Sequence, residues 1–445
     1  MKRATHALSR FSAAVGLVAV LLGASPAGAA STYEASPDTY RRLVRTLRAG
    51  DTLALAAGEY REGLPLVNLS GEPDRPITIS GPTSGPPAVF IARAEHNTVS
   101  IVDSHHVVVR NLVLDGRGLP VDGVKAEGHA HWTHHITLEN LMIRGHGNNQ
   151  QNVGISTKCP AWSWVIRGNT IVGAGTGIYL GNSDGSAPFV AGLIERNLIV
   201  DTIGYNLQVK HQHPRPDVPG MPVASSVTVI RHNVFANPAG GSPTDSRPNV
   251  LVGHWPLTGP GADDRYLVYG NFFYQNRFES LFQGEGNVAL YNNLFVNRFG
   301  DAIRIQPHND IPKRIDIAFN TVLALNAGIT VTQGSGSSSF RQSVVANAVF
   351  AGVPISGGEE FANFAAPLSD AEQYLTQPFA PPGQLDLFPR APLATAVDQD
   401  VPNPAALPDW TRDFNGRLRK PHSIGAYGDS GANPGWLPTL ELMPE

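Results

Sequence analysis

Apolar residues alternate with polar ones in short stretches, and the stretches recur around an asparagine. VVVRNLVLDG carries Asn111, ITLENLMIRG Asn140, VIRGNTIVGAG Asn169 and LIERNLIVDT Asn197. VIRHNVFANP, LVYGNFFYQN, ALYNNLFVNR, IAFNTVLAL and VVANAVFAG continue the series at Asn233, Asn271, Asn293, Asn320 and Asn347. Successive asparagines are 29, 29, 28, 36, 38, 22, 27 and 27 residues apart. A period in the twenties, made of β-branched strands and lacking helical spacing, predicts a solenoid. Alternation turns Val, Ile and Leu inward and polar residues outward. Each asparagine is expected at a strand–turn–strand corner, where it tolerates a left-handed backbone and hydrogen-bonds along the pile. These residues build the ladder and are assigned no chemistry. The 36- and 38-residue intervals imply loop insertions, which in solenoids gather on one face. The expected fold class is all-β, a right-handed parallel β-helix.

The ends fit the same plan. Ser36 and Pro37 suit the cap and first position of a helix. Tyr40, Leu43, Val44 and Leu47 fall on one face of it, able to cover an open first coil, and Gly50 stops it. Strands are expected from DTLALAAGEY (51–60). The capped solenoid is placed at 31–357 and a C-terminal extension at 358–445. Within the extension, 360–410 is Pro- and Ala-rich, and 413–429 is a compact piece that packs back on the body. At the start, Lys2, Arg3 and Arg10 precede an apolar run at 11–22 and then Ala27-Gly28-Ala29. That order predicts a cleaved secretory signal over residues 1–30, a secreted (periplasmic or extracellular) protein, and no membrane span after cleavage.

Composition narrows the picture. Charged residues are only 16%, with 46 glycines and 36 prolines, so turns abound and exposed helices are few. The one cysteine, Cys159, permits no internal disulfide, and stability must come from packing and hydrogen bonds. Net charge is −4, and about −7 without residues 1–30. That balance argues against a nucleic-acid partner or an anionic membrane surface.

A second strand follows each asparagine phrase: GVKAEG (123–128), VGISTK (153–158), GIYLGN (177–182), YNLQVKHQH (205–213), NVLVGHW (249–255), SLFQGEG (280–286), AIRIQPHND (302–310) and GITVTQG (328–334). Stacked into one sheet, their outward residues form a polar column suited to a linear polysaccharide. Leu207 and Val209 are expected to point in, and Asn206, Gln208 and Lys210 out. Ile303 and Ile305 are expected in, and Arg304 and Gln306 out. Lys158 falls near the same column. Expected sugar contacts are Tyr179, Asn182, Tyr205, Asn206, Gln208, Arg215, Trp255, Gln283, Gln306 and Asn309, with the aromatics as stacking platforms or as packing between loop and sheet.

Cleavage of a uronate by β-elimination needs a base for the C5 proton, donors that neutralise the carboxylate, and an acid for the leaving oxygen. Lys210, His211, His213 and Arg215 form the densest basic cluster. Lys210 and His211 would act at the base position, Lys210 needing a depressed pKa to do so, Arg304 could clamp the carboxylate, and His254 or His308 could serve as acid–base partner. Asp184, Glu285 and Asp310 are candidate oxygen ligands for calcium, although glycine-rich turns without metal explain the first two equally well. The histidines of GHAHWTHH (His129, His131, His134, His135) match no zinc spacing and read as a polar loop over the groove.

At this point the chain resembles the secreted, pectin-lyase-like β-helix superfamily of polysaccharide lyases and uronate epimerases. GDTLALAAGEYREG is similar to the entrance of alginate and chondroitin lyases, and DFNGRLRKPHSIGAY to their closing segment. The resemblance implies a Lys base, matched in position by Lys210, an Arg acid on a neighbouring coil, and calcium bound by acids before the Lys. The preceding Gly204-Tyr205-Asn206-Leu207-Gln208 has no acidic pair. Mannuronan epimerases carry a D-P-H-D/E signature, and here the corresponding stretch reads Gln306-Pro307-His308-Asn309-Asp310. The leading expectation is a lyase acting on an anionic, uronic-acid-containing polymer. The rivals are a C5-epimerase, a glycan-binding envelope or matrix protein without catalysis and, less favoured, a glycoside hydrolase needing two carboxylates.

Overall fold

The alternating stretches become parallel strands. In a computed structural model describing residues 29–127, 132–336, 339–393 and 407–444, they stack into a 15-stranded and a 21-stranded sheet. The chain winds through three strand lines. The first holds the strands that precede each asparagine, from Thr32–Ala35 to Glu359–Phe361. The second holds those just after it, and the third the later strands such as Leu207–Val209. The second and third lines merge where Thr321–Val331 and Ala348–Ser356 run through both. Every pairing within these lines is parallel, and the fold is the right-handed parallel β-helix expected. Residues 1–28, most of the expected secretory signal, lie outside the described residues, as do His129 and His131.

Inward side chains fill one continuous core. Ile178, Leu207, Val250, Phe282 and Ile303 follow one another along it, all fully buried. The phenyl rings of Phe273 and Phe295 stack at 4.3 Å. Each such side chain removed from water contributes roughly 1.5–3 kcal/mol.

At the first corner Asn169, Asn197, Asn233, Asn271, Asn293, Asn320 and Asn347 form a buried ladder. Each Nδ2 donates to the next Oδ1 at 2.9–3.0 Å. The ladder ends on Asn363, one rung beyond the expected series. Asn111 and Asn140 depart from it. They are themselves the left-handed residues (φ 58° and 53°), and Leu141, not Asn140, is level with Asn169. From Asn169 onward the left-handed residue is the one before the asparagine, as at Gly168, Arg196 and His232. The first two phrases are therefore out of step by one residue.

The N-terminal cap is shorter than expected, a helix at Tyr40–Val44. Tyr40, Val44 and Leu47 are buried as its spacing requires, and Tyr40 packs edge-on to Tyr60 and Phe90. The first coil begins earlier than residue 51, because Thr32–Ala35 pairs with Thr52–Leu55. The C-terminal segment lies over the second line, where Leu375, Leu385, Leu387 and Tyr427 pack with Phe272, Leu294 and Phe350. Arg419 donates to Asn292 Oδ1 at 2.6 Å and so ties the segment to the asparagine corner. The third line is left open, and loops rise beside it.

Candidate active-site groove

The outward positions of the third line form two rows. The first, read from the pairing register, is Lys125, Ser156, Tyr179, Gln208, Leu251, Gln283, Arg304 and Thr330. The second lies two residues further along each strand: Glu127, Lys158, Gly181, Lys210, Gly253, Glu285, Gln306 and Thr332. Neighbouring coils are about 4.8 Å apart. The segments 181–188, 210–226, 253–264 and 306–312 leave the third line at one edge. At the other lie 145–152 and 238–248.

The N-terminal half of this floor carries three lysines, Lys125, Lys158 and Lys210, with Asp122 and Glu127 beside the first two. Lys158 Nζ sits 3.4 Å from the centre of the Tyr179 ring. Burial, with help from Lys125 and Lys210, pulls the Lys158 pKa down to about 8, against the opposing pull of Asp122. Burial also lowers Lys210, opposed by Glu285. Among the described residues neither lysine makes an ion pair, whereas Lys125 lies 3.6 Å from Asp122. Lys210 stands between Gly181 and Gly253, so the coils on both sides place no side chain against it. A cavity of about 390 Å³ opens at this end, lined by Asp122, Lys125, Gln150, Lys158 and Tyr179.

Two histidines flank Lys210. The His211 and His254 rings stack at 5.4 Å. Burial, followed by the charge of Lys210, brings His211 down to about 4, so it is neutral at pH 7. His254 Nδ1 is 2.8 Å from the Trp255 carbonyl, which leaves Nε2 as its exchange site. Tyr205, nearly buried, lies beneath the Arg247 guanidinium.

The C-terminal half neutralises itself. Arg304 faces the groove, but its guanidinium pairs with Asp301 at 2.5 Å and Glu279 at 3.9 Å. It is also three coils from Lys210, roughly 14 Å away, so it cannot clamp a carboxylate at that lysine. His308 is exposed on the loop that follows the Arg304 strand, its backbone N–H held by Glu285. Glu285 is 2% exposed, and its carboxylate accepts the backbone N–H groups of His308, Asn309 and Asp310 at 3.0, 3.0 and 3.1 Å and that of His254 at 3.3 Å. It is a loop-binding residue, with its oxygens committed.

Several expected positions are corrected. Asn206 does not point out. It is fully buried at the second corner, donating to Thr202 Oγ1 and Asn237 Oδ1. Trp255 is buried against Tyr266 at 4.3 Å and offers no stacking platform. The Arg215 side chain is 2% exposed and locked to buried Asp264, so it joins two loops and faces no substrate. Asp184 holds its own turn through Ser186, whose hydrogen bonds lower its pKa, and Asp310 accepts the Ile311 N–H. Asp184, Glu285 and Asp310 are not gathered as a calcium site. Asn182 shapes the 182–186 turn. Gln208 lies in the floor beside Tyr179 at 5% exposure. Gln283 and Gln306 are half-buried further along the floor, and Asn309 is exposed on its loop. Lys158, read as near the column, is central to the floor. Lys125 was missed, although strand parity in GVKAEG and VGISTK points both residues of this pair outward.

No protein-family profile matches the chain, and no curated protein does. Solved structures similar to it include the PL6 family alginate lyase AlyGC, at 15% identity and a TM-score of 0.49, over 76% of this chain and 51% of that one. The chain thus spans about half the length of that lyase. An alginate lyase from Paenibacillus sp. str. FPU-7 is 14% identical with a TM-score of 0.39, over 76% of this chain and 98% of its own. The Azotobacter vinelandii mannuronan C-5 epimerase AlgE4 A-module is 14% identical with a TM-score of 0.38, over 72% and 88%. Among the described residues, no helix is long and apolar enough to cross a membrane.

Proposed function

We propose that this is an exported polysaccharide lyase that cleaves a uronic-acid-containing polymer at the N-terminal half of the groove. The observation that carries the reading is the juxtaposition of Lys158 and Lys210, both without an acidic partner among the described residues, around Tyr179 on an open strand face. Lys158, protonated below pH 8, neutralises the uronate carboxylate and so acidifies the C5 proton. Lys210 in its neutral form takes that proton, a role its lowered pKa favours. The electron pair becomes the C4–C5 double bond, the C4–oxygen bond breaks, and His254 delivers a proton from Nε2 to the leaving oxygen. Tyr179 supplies a ring face to the sugar.

A glycoside hydrolase is less well supported. Two free carboxylates facing each other across a bond are required, whereas Glu285 is held by backbone N–H groups and Asp301 by Arg304.

The test is ultraviolet absorbance of the unsaturated product on alginate, pectate, chondroitin and glucuronan, with and without chelator. Product from at least one polymer supports the proposal. Proton exchange at C5 with an altered uronate ratio by NMR, and no cleavage, would replace it with an epimerase. Binding without either reaction would leave a glycan-binding protein.

A further inference from the structure

Away from the lysines, two consecutive-histidine pairs lie at the start of first-line strands on adjacent coils. His105–Arg110 pairs with Thr133–Glu139, and His134 is directly level with His105. Neighbouring residues of a strand normally face opposite ways. Here His106 and His135 adopt left-handed backbones, φ 52° and 51°, and each ring turns back toward its neighbour. Non-glycine residues held this way cost on the order of 1 kcal/mol or more, and such strain gathers at functional sites.

The outcome is a two-by-two array of imidazoles. Nδ1 of His105 and Nδ1 of His106 are 2.9 Å apart, and Nδ1 of His134 and Nδ1 of His135 are 2.7 Å apart. Along the stack His105 lies parallel to His134 at 4.8 Å, and His106 to His135 at 4.3 Å. Trp162 covers the far face of the array, 4.5 Å from His134. His105, His106 and His134 each present a ring nitrogen within 4.8 Å of the other two.

We propose that His105, His106 and His134 bind one divalent transition-metal ion of the zinc, copper or nickel class. Two imidazole nitrogens on one such ion, each about 2.0–2.1 Å from it, sit roughly 2.9–3.4 Å apart, the spacing His105 and His106 already have; His134, stacked parallel to His105 with a nitrogen within 4.8 Å of both, completes the set by rotating its ring toward the ion. Imidazole donors select these borderline ions over calcium or magnesium. Without metal each 2.7–2.9 Å pair must share a single proton between two nitrogens. An ion takes the place of the proton between His105 and His106, and that proton moves to the outer ring nitrogen, Nε2, of the histidine that held it.

The test is isothermal titration of the chelator-stripped full chain with Zn²⁺ alone and Cu²⁺ alone, read beside thermal unfolding. The expected result is one ion per chain and a raised unfolding temperature. The double variant His106→Ala/His134→Ala, and separately His106→Gln, should weaken binding roughly tenfold or more. Their metal-free unfolding should stay close to that of the wild type. Absence of binding at large ion excess, or equal affinity in the folded variants, would overturn the proposal.

Discussion

The two halves of the groove floor are built from the same strands and differ in where their charges go. On the N-terminal side Lys158 and Lys210 face the groove with no ion pair among the described residues, one against an aromatic ring with Asp122 acting on it from further off, the other between two glycines with Glu285 doing the same. On the C-terminal side Arg304 is answered by Asp301 and Glu279, and Glu285 by backbone N–H groups. A cation already paired has little left for a ligand, while an unpaired, partly buried one is stabilised when an anion arrives. The comparison teaches that a polar column is not a uniform binding face, and that an anionic ligand would be held at one end of it.

Four expected outcomes could break this contrast. The largest is for Lys210→Ala, which should lower kcat by roughly 10²–10⁴-fold with unfolding temperature nearly unchanged, measured by product absorbance and calorimetry. Next, Asn206→Ala should cost about 1–3 kcal/mol in urea unfolding, because Thr202 and Asn237 lose a buried partner. An outward substrate contact would instead have changed only KM. Third, Lys158→Met should raise KM several-fold near neutrality. Because the Lys158 pKa lies below that of a free lysine, its charge is present below about pH 8 and lost above it. Wild-type KM should therefore climb as pH passes 8, and in the variant that climb should vanish. Smallest, Arg304→Ala should change kcat by less than about threefold, since its charge is already answered. A loss as large as that of Lys210→Ala would erase the distinction between the halves.

Much of the architecture was legible because strand alternation and the asparagine period are local signals. The body of the solenoid, the inward Leu207 and Val209 and the outward Gln208, Lys210 and Arg304 all follow from parity. Parity fails at corners. Asn206 precedes its strand by one residue, and the turn rotates it into a second buried asparagine corner. The same failure displaced Asn111 and Asn140 by one position. Long-range pairing was invisible as well: Arg215 is claimed by Asp264, 49 residues away, and Trp255 by Tyr266 across a loop. The distance between Lys210 and Arg304 depends on how many coils intervene, which spacing alone left uncounted when the two were grouped. Lys158 and Lys125 were within reach of the same parity rule, had their strands been aligned coil by coil.

The most direct measurement is amide hydrogen exchange with and without a saturating short oligouronate, using the Lys210→Ala chain so that the ligand persists. Protection is predicted in Val153–Thr157, Thr176–Leu180 and Leu207–Val209, with Phe282–Gly284 and Ile303–Ile305 unchanged. Protection centred on Ile303–Ile305 with the earlier strands unaffected would contradict the account.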